Sequence, residues 1–153
     1  MDRLSLPTLH REFEAFVAGA AGRLLHVATL LTAEPPDAAP AARDLLAGAL
    51  ARTWVRWARL RDDDPYAHTR AELCAGFARS AWRHQRDRGG VLGRLAPAER
   101  LAVVLVVHEG LVEEQVAALL GLSADRVRQL VNRAGTALRA PRPGPAPAAG
   151  GVR

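Results

Sequence analysis

The sequence predicts an all-α protein. Apolar residues recur at helical spacing through most of its 153 residues. No stretch alternates apolar and polar residues between hairpin turns, and proline, glycine and N-cap signals divide the periodic stretches. The length suits one core or two small helical units.

A first helix is expected over residues 9–31, with Phe13, Phe16, Val17, Leu24, Val27 and Leu31 on its inward side. Glu34-Pro35-Pro36-Asp37 breaks it. A second helix over residues 41–60 carries Leu46, Leu50, Trp54 and Trp57 at steps of four, four and three. Gly48 inside it weakens it by about 1 kcal/mol relative to alanine. Asp64-Pro65 reads as an N-cap followed by proline at the first helical position. It opens a third helix that reaches about residue 86, with Leu73 and Phe77 inward.

The glycine-bearing stretch from Arg86 to Arg94 is too short for a helix of its own and marks a boundary. Three further helices are expected over residues 98–108, 112–120 and 124–138. The organisation is therefore a helical module over 1–86, a connector over 87–94, a second module over 95–139, and a Pro/Gly/Ala-rich tail over 140–153 expected to be disordered.

The net charge of +5 and a sequence pI near 11.0 favour anionic partners. All 21 basic residues are arginine, whose planar fork can hold phosphates and guanine edges through paired hydrogen bonds. The single cysteine, Cys74, excludes an intrachain disulfide and a multi-cysteine metal site, and fits a reducing cytoplasm. The longest apolar run, residues 101–107, is too short to span a bilayer, so no membrane insertion is expected. His10, His26, His68, His84 and His108 show no ligand spacing, and no glycine loop cradles a phosphate. Neither enzymatic activity nor a metal or cofactor is expected.

The segment over residues 113–133 reads as a helix-turn-helix. Two short helices pack at a steep angle only with a small residue at their contact and a left-handed turn between them, features supplied by Ala117 and Gly121. Val116, Leu120, Leu122, Val127 and Leu130 fall where the helices must face each other or the preceding helix. Ser123 is a good N-cap and Asp125 suits the positive end of the second helix. Outside the core remain Arg126, Arg128, Gln129, Asn132 and Arg133, residue types that read base edges or hold phosphates. The alternative is a solvated face on a plain helical hairpin.

On the third helix, Arg79, Trp82, Arg83 and Arg86 set an aromatic ring among arginines, a surface that can hold backbone phosphates and stack an unpaired base. The plainer reading has Trp82 closing the core edge while the arginines stay hydrated.

In order along the chain, Phe13-Glu-Ala-Phe-Val17, Asp44-Leu-Leu46, Ala49-Leu-Ala-Arg-Thr-Trp-Val-Arg-Trp57, Asp64-Pro65, Leu95-Ala-Pro97 and His108-Glu-Gly-Leu111 lead into the helix-turn-helix. This order resembles the extracytoplasmic-function sigma factors of bacterial RNA polymerase, actinobacterial type, over nearly the whole chain before the tail. The resemblance implies a transcription initiation factor whose partners are core RNA polymerase, promoter DNA and an anti-sigma factor. It implies that Asp44, Leu46, Leu50 and Arg52 face the polymerase. By the same resemblance, Arg79, Trp82, Arg83 and Arg86 meet the melted minus-10 element, and the helix-turn-helix reads the minus-35 duplex.

Two other readings stand beside this one: a helix-turn-helix regulator that binds duplex DNA without polymerase, and a sigma-like protein that docks on polymerase without reading DNA. The connector motivates the first. About ten residues reach at most ~35 Å when extended, whereas promoter elements about 17 base pairs apart are separated by roughly 55 to 60 Å.

Overall fold

A computed structural model describes residues 5–141, and all regular structure among them is helical. The expected tail lies outside the described residues beyond Pro141.

Helix α1 (Leu6–Thr32) starts with proline in its first turn and ends at Ala33, whose backbone is left-handed at φ 56°. Leu24, Val27 and Leu31 are fully buried, while Phe13, Phe16 and Val17 are only half-buried. The half-buried rings join Trp54 and Trp57 in an aromatic cluster, with Phe13 5.1 Å from Trp54 and Phe16 5.3 Å from Trp57. By length and mean hydropathy α1 is long enough to cross a membrane, but its inward row forms part of a protein core shared with the other helices.

Glu34 does more than end a helix. Its buried carboxylate accepts the backbone N–H groups of Ala42 at 2.8 Å and Ala41 at 3.1 Å. These are orphan donors at the start of α2 (Pro40–Arg56), where a negative charge also suits the helix dipole. The last residues expected in this helix instead form a tight 3-10 turn at Trp57–Arg59.

Helix α3 (Pro65–Arg79) is capped by Asp64, which accepts from Tyr66 N at 3.0 Å. It stops short of residue 86. The Ser80 hydroxyl folds back to Gly76 O at 3.1 Å, and a tight turn at Ala81–Arg83 brings the buried His84 ring onto Phe77, 5.2 Å between centroids. Buried hydroxyls join α2 to α3: Thr53 and Thr69 meet at 2.9 Å while bonding back to Ala49 O and Pro65 O.

The C-terminal group comprises α4 (Pro97–Val103), a π-helical turn at Val104–His108, α5 (Glu113–Leu120) and α6 (Ala124–Arg139). Residues 87–94 carry no helix, and they fold against the end of α1. Gly90 donates to Ala33 O at 2.9 Å, and Leu92 and Leu95 are buried. Both helical groups thus contribute to one core.

Candidate nucleic-acid interface

Gly121 closes α5 with φ 68°, the left-handed conformation that glycine adopts without strain, and Leu122 N bonds back to Ala117 O at 3.0 Å. Ser123 Oγ then accepts Arg126 N at 3.1 Å and starts α6. Val116 of α5 and Val127 and Leu130 of α6 are buried. Leu122, expected inward, is 39% exposed, because its place in the turn is set by its backbone bond rather than by side-chain packing.

With that inward row fixed, α6 presents Gln129, Asn132 and Arg133 to solvent and leaves Arg126 half-buried at its edge. Arg126, Gln129 and Arg133 share one face at i, i+3 and i+7. Asn132 and Arg133 border a shallow groove with Glu99, Thr136 and Ala140.

Arg128 is differently placed. Its Nη2 lies 2.9 Å from Glu113 Oε2 and its Nη1 3.0 Å from Asp125 Oδ1. The Glu113 hydrogen bond, followed by the charges of Glu113 and Asp125, holds its proton above the ordinary arginine range.

In the first group, a groove of about 460 Å³ runs between α2 and the end of α3. Its walls include Asp44, Arg52, Arg79, Trp82, Arg83 and Arg88. Trp82 is 69% exposed with the Arg83 guanidinium 4.9 Å from its ring, so it does not close the core. Arg86 is exposed beyond the groove.

The sequence reading assigned Asp44 and Arg52 to one surface and Arg79, Trp82 and Arg83 to another; the groove holds all of them together. Arg52 is tied to Glu72 by a 2.9 Å bond from Nε. Leu46 is only 8% exposed and belongs to the core, so its place among partner-facing residues is corrected: it anchors α2 from within. Leu50 is half-buried against the same core.

Sequence reasoning missed a second polar cluster. Glu109, after the π-helical turn, accepts from the Tyr66 hydroxyl at 2.6 Å and from Arg70 Nη1 at 3.2 Å. Burial, then the hydrogen bond to Glu109, pushes the Tyr66 phenol up to about 12. The only visible signal was the His108-Glu-Gly-Leu111 segment, which names no partner so far upstream. Burial also pushes the Cys74 thiol up to about 12, away from thiolate chemistry. Among the described residues no three His, Cys, Asp or Glu side chains cluster as a metal site would require.

Residues 91–140 match the family model described as Sigma-70, region 4. The chain is 35% identical to the RNA polymerase sigma-E factor of Streptomyces coelicolor, with 84% of each chain covered. It is 33% identical to the RNA polymerase sigma-E factor of Streptomyces avermitilis, over 84% of this chain and 83% of that one. No solved structure matches the chain.

Proposed function

Because the chain belongs to the extracytoplasmic-function branch of the sigma-70 family, we propose that it binds core RNA polymerase and directs it to promoters through two DNA-facing surfaces. Residues 1–86 supply the polymerase-facing and minus-10 surfaces, residues 95–139 supply the minus-35 surface, and 87–94 join them. The likeness to the sigma-E factors carries this reading, since it extends over both helical groups and beyond the region 4 match.

On α6, Arg126, Gln129, Asn132 and Arg133 face the duplex, while Arg128 supports them through Glu113. In the groove, Trp82 stacks an unpaired base and Arg79, Arg83 and Arg86 hold the strand's phosphates. Exposed Asp44, with Arg52 and the half-buried edge at Leu50, forms the polymerase side. The protein itself breaks no bond, and it works in the cytoplasm beside the polymerase. An anti-sigma factor that covers either surface would silence it.

The deciding experiment is reconstitution with core polymerase from the same organism, followed by transcription from the gene's own upstream region. Specific initiation supports the reading, and failure to bind core sinks it.

The regulator reading draws support from one observation, the folding of residues 87–94 against α1. A compact chain of this length has a radius of gyration of about 15 Å. It spans roughly 35 to 40 Å, short of the roughly 55 to 60 Å between promoter elements. Tight duplex binding without polymerase, together with no retention on core, would favour that reading.

A further inference from the structure

Glu109 sits between the two helical groups with its side chain only 2% exposed. Its Oε1 takes hydrogen bonds from Tyr66 and Arg70, and its Oε2 lies 3.7 Å from Arg23 Nη2. The Arg23 guanidinium stands 4.4 Å above the Tyr66 ring, and that of Arg70 lies 5.5 Å from it. One carboxylate therefore faces two guanidinium groups and a phenol.

Three features leave this cluster able to take an anion from outside in place of the carboxylate. The positive charge of Arg23 and Arg70 exceeds the single negative charge of Glu109 that they contact. Arg70 Nε is buried without a hydrogen-bond partner among the described residues, so a donor is left over. Arg23 is 70% exposed, which leaves the cluster a route from the surface. A phosphate diester carries the same single charge as the Glu109 carboxylate on two oxygens of a larger tetrahedral group, and a tyrosine ring flanked by arginines is chemistry suited to single strands. All three cationic or aromatic residues lie on α1 and α3, whereas Glu109 comes from the other helical group.

We propose that Glu109 is an internal stand-in for a nucleic-acid phosphate: it fills an anion pocket formed by Tyr66, Arg70 and Arg23, and leaves it when α3 takes up single-stranded DNA. The inference rests on the reading of α3 as strand-facing. Its consequence is that the closed packing of the two groups and strand binding exclude each other.

The test uses the full chain and a labelled single-stranded oligodeoxynucleotide titrated over a salt series. Glu109→Gln is expected to tighten binding about threefold to tenfold by removing the competitor. It should also steepen log K against log salt by about 0.7 for each phosphate gained. Glu14→Gln makes the same charge change on the exposed side of α1 and should leave the slope as it is. Adding Arg70→Ala to Glu109→Gln should restore the wild-type slope. Tyr66→Phe keeps the ring, removes one bond to Glu109, and should shift the slope part of the way; it carries the test if the Glu109 variant loses helicity by circular dichroism.

Equal slopes in wild type, Glu109→Gln and Tyr66→Phe overturn the proposal. So does a steepening that survives Arg70→Ala, or a gain seen with polyglutamate and not with DNA. The two possible failures are separable: wild-type protein that is not retained on core polymerase refutes the sigma reading, whereas an unchanged slope refutes the pocket whatever the polymerase result.

Discussion

Arg128 of α6 is bound to Glu113 of α5 through two nitrogens, Nη2 at 2.9 Å and Nε at 3.1 Å from the same carboxylate oxygen. A guanidinium so engaged braces the crossing of the two helices, and its charge is already met by Glu113 and Asp125. Arg133→Ala should therefore lower the salt slope of duplex binding by about 0.9, the loss of one phosphate contact. Arg128→Ala should weaken binding with little change of slope. Glu113→Gln, which frees the guanidinium, should steepen the slope by up to about 0.9. Salt titrations of the three variants on one duplex check the assignment, and equal flattening by Arg128→Ala and Arg133→Ala would show that Arg128 contacts phosphate directly.

Trp82 offers an exposed ring in the groove between α2 and α3, covered on one side by Arg83. Stacking of one base on such a ring is worth roughly 1 to 3 kcal/mol. Trp82→Ala is thus expected to weaken single-strand binding by about tenfold or more while leaving the urea midpoint unchanged, since the ring buries little on folding. A lowered midpoint with unaltered strand affinity would return Trp82 to a structural role.

The all-helical architecture was legible because burial imposes a 3.6-residue period: Leu24, Val27 and Leu31, and again Val116, Val127 and Leu130, sit inward as their spacing requires. The helix-turn-helix was legible for a second reason, that Gly121 and Ser123 are local signals whose consequences fall within a few residues. Leu46 shows the limit of resemblance, since a position assigned to a partner surface turned inward once α2 docked. Arg100 and Glu109 show the limit of local reading. Their side chains serve backbone or side-chain groups that only the tertiary fold brings near, and periodicity carries no information about partners 69 or 43 residues apart.

Two glycines separate close approach from backbone freedom. A Cβ at Gly90 would lie 2.5 Å from the carbonyl carbon and oxygen of Ala33, whereas one at Gly121 would meet nothing within 4 Å but would sit at φ 68°. Gly90→Ala should force residues 87–94 away from α1 and cost about 2 to 3 kcal/mol. Gly121→Ala should cost only about 1 kcal/mol, the price of a left-handed alanine. Urea denaturation orders the two, and a Gly90→Ala variant as stable as wild type would mean that the connector is not held against α1 in solution.

His84 gives stability a pH dependence of predictable sign. Burial first, then the charges of Arg88 and Arg100, hold its imidazole below the ordinary 6.5, so the folded ring takes up a proton less readily than a free imidazole. The unfolded chain takes up a proton at about pH 6.5 that the folded ring resists. Its contribution is therefore fully present above 6.5 and is lost as pH falls from there toward the lowered folded value. The wild-type midpoint, measured against that of His84→Phe, should decline between about pH 7 and pH 5. A constant difference across that range would show that the ring charges freely in place.

Arg100 is fully buried, and among the described residues no carboxylate is bonded to it: Nε donates to Leu92 O and Leu95 O, and Nη1 donates to Leu31 O at 3.1 Å. Leu31 lies in the last turn of α1, where carbonyls lack helical partners and the dipole favours a cation. One side chain thus joins the end of α1, the segment before α4, and α4 itself, while burial pulls its proton affinity below the ordinary arginine value. Arg100→Met keeps most of the volume but strands three buried carbonyls, and should cost about 3 kcal/mol or more. Arg100→Lys restores the charge without the fork, and a single ammonium cannot reach the same three oxygens, so it should recover little of the loss. Urea midpoints of the two variants decide the matter: if Arg100→Lys matches wild type, charge at the helix terminus is what counts, and if both fall together, the geometry of the guanidinium holds the two helical groups closed.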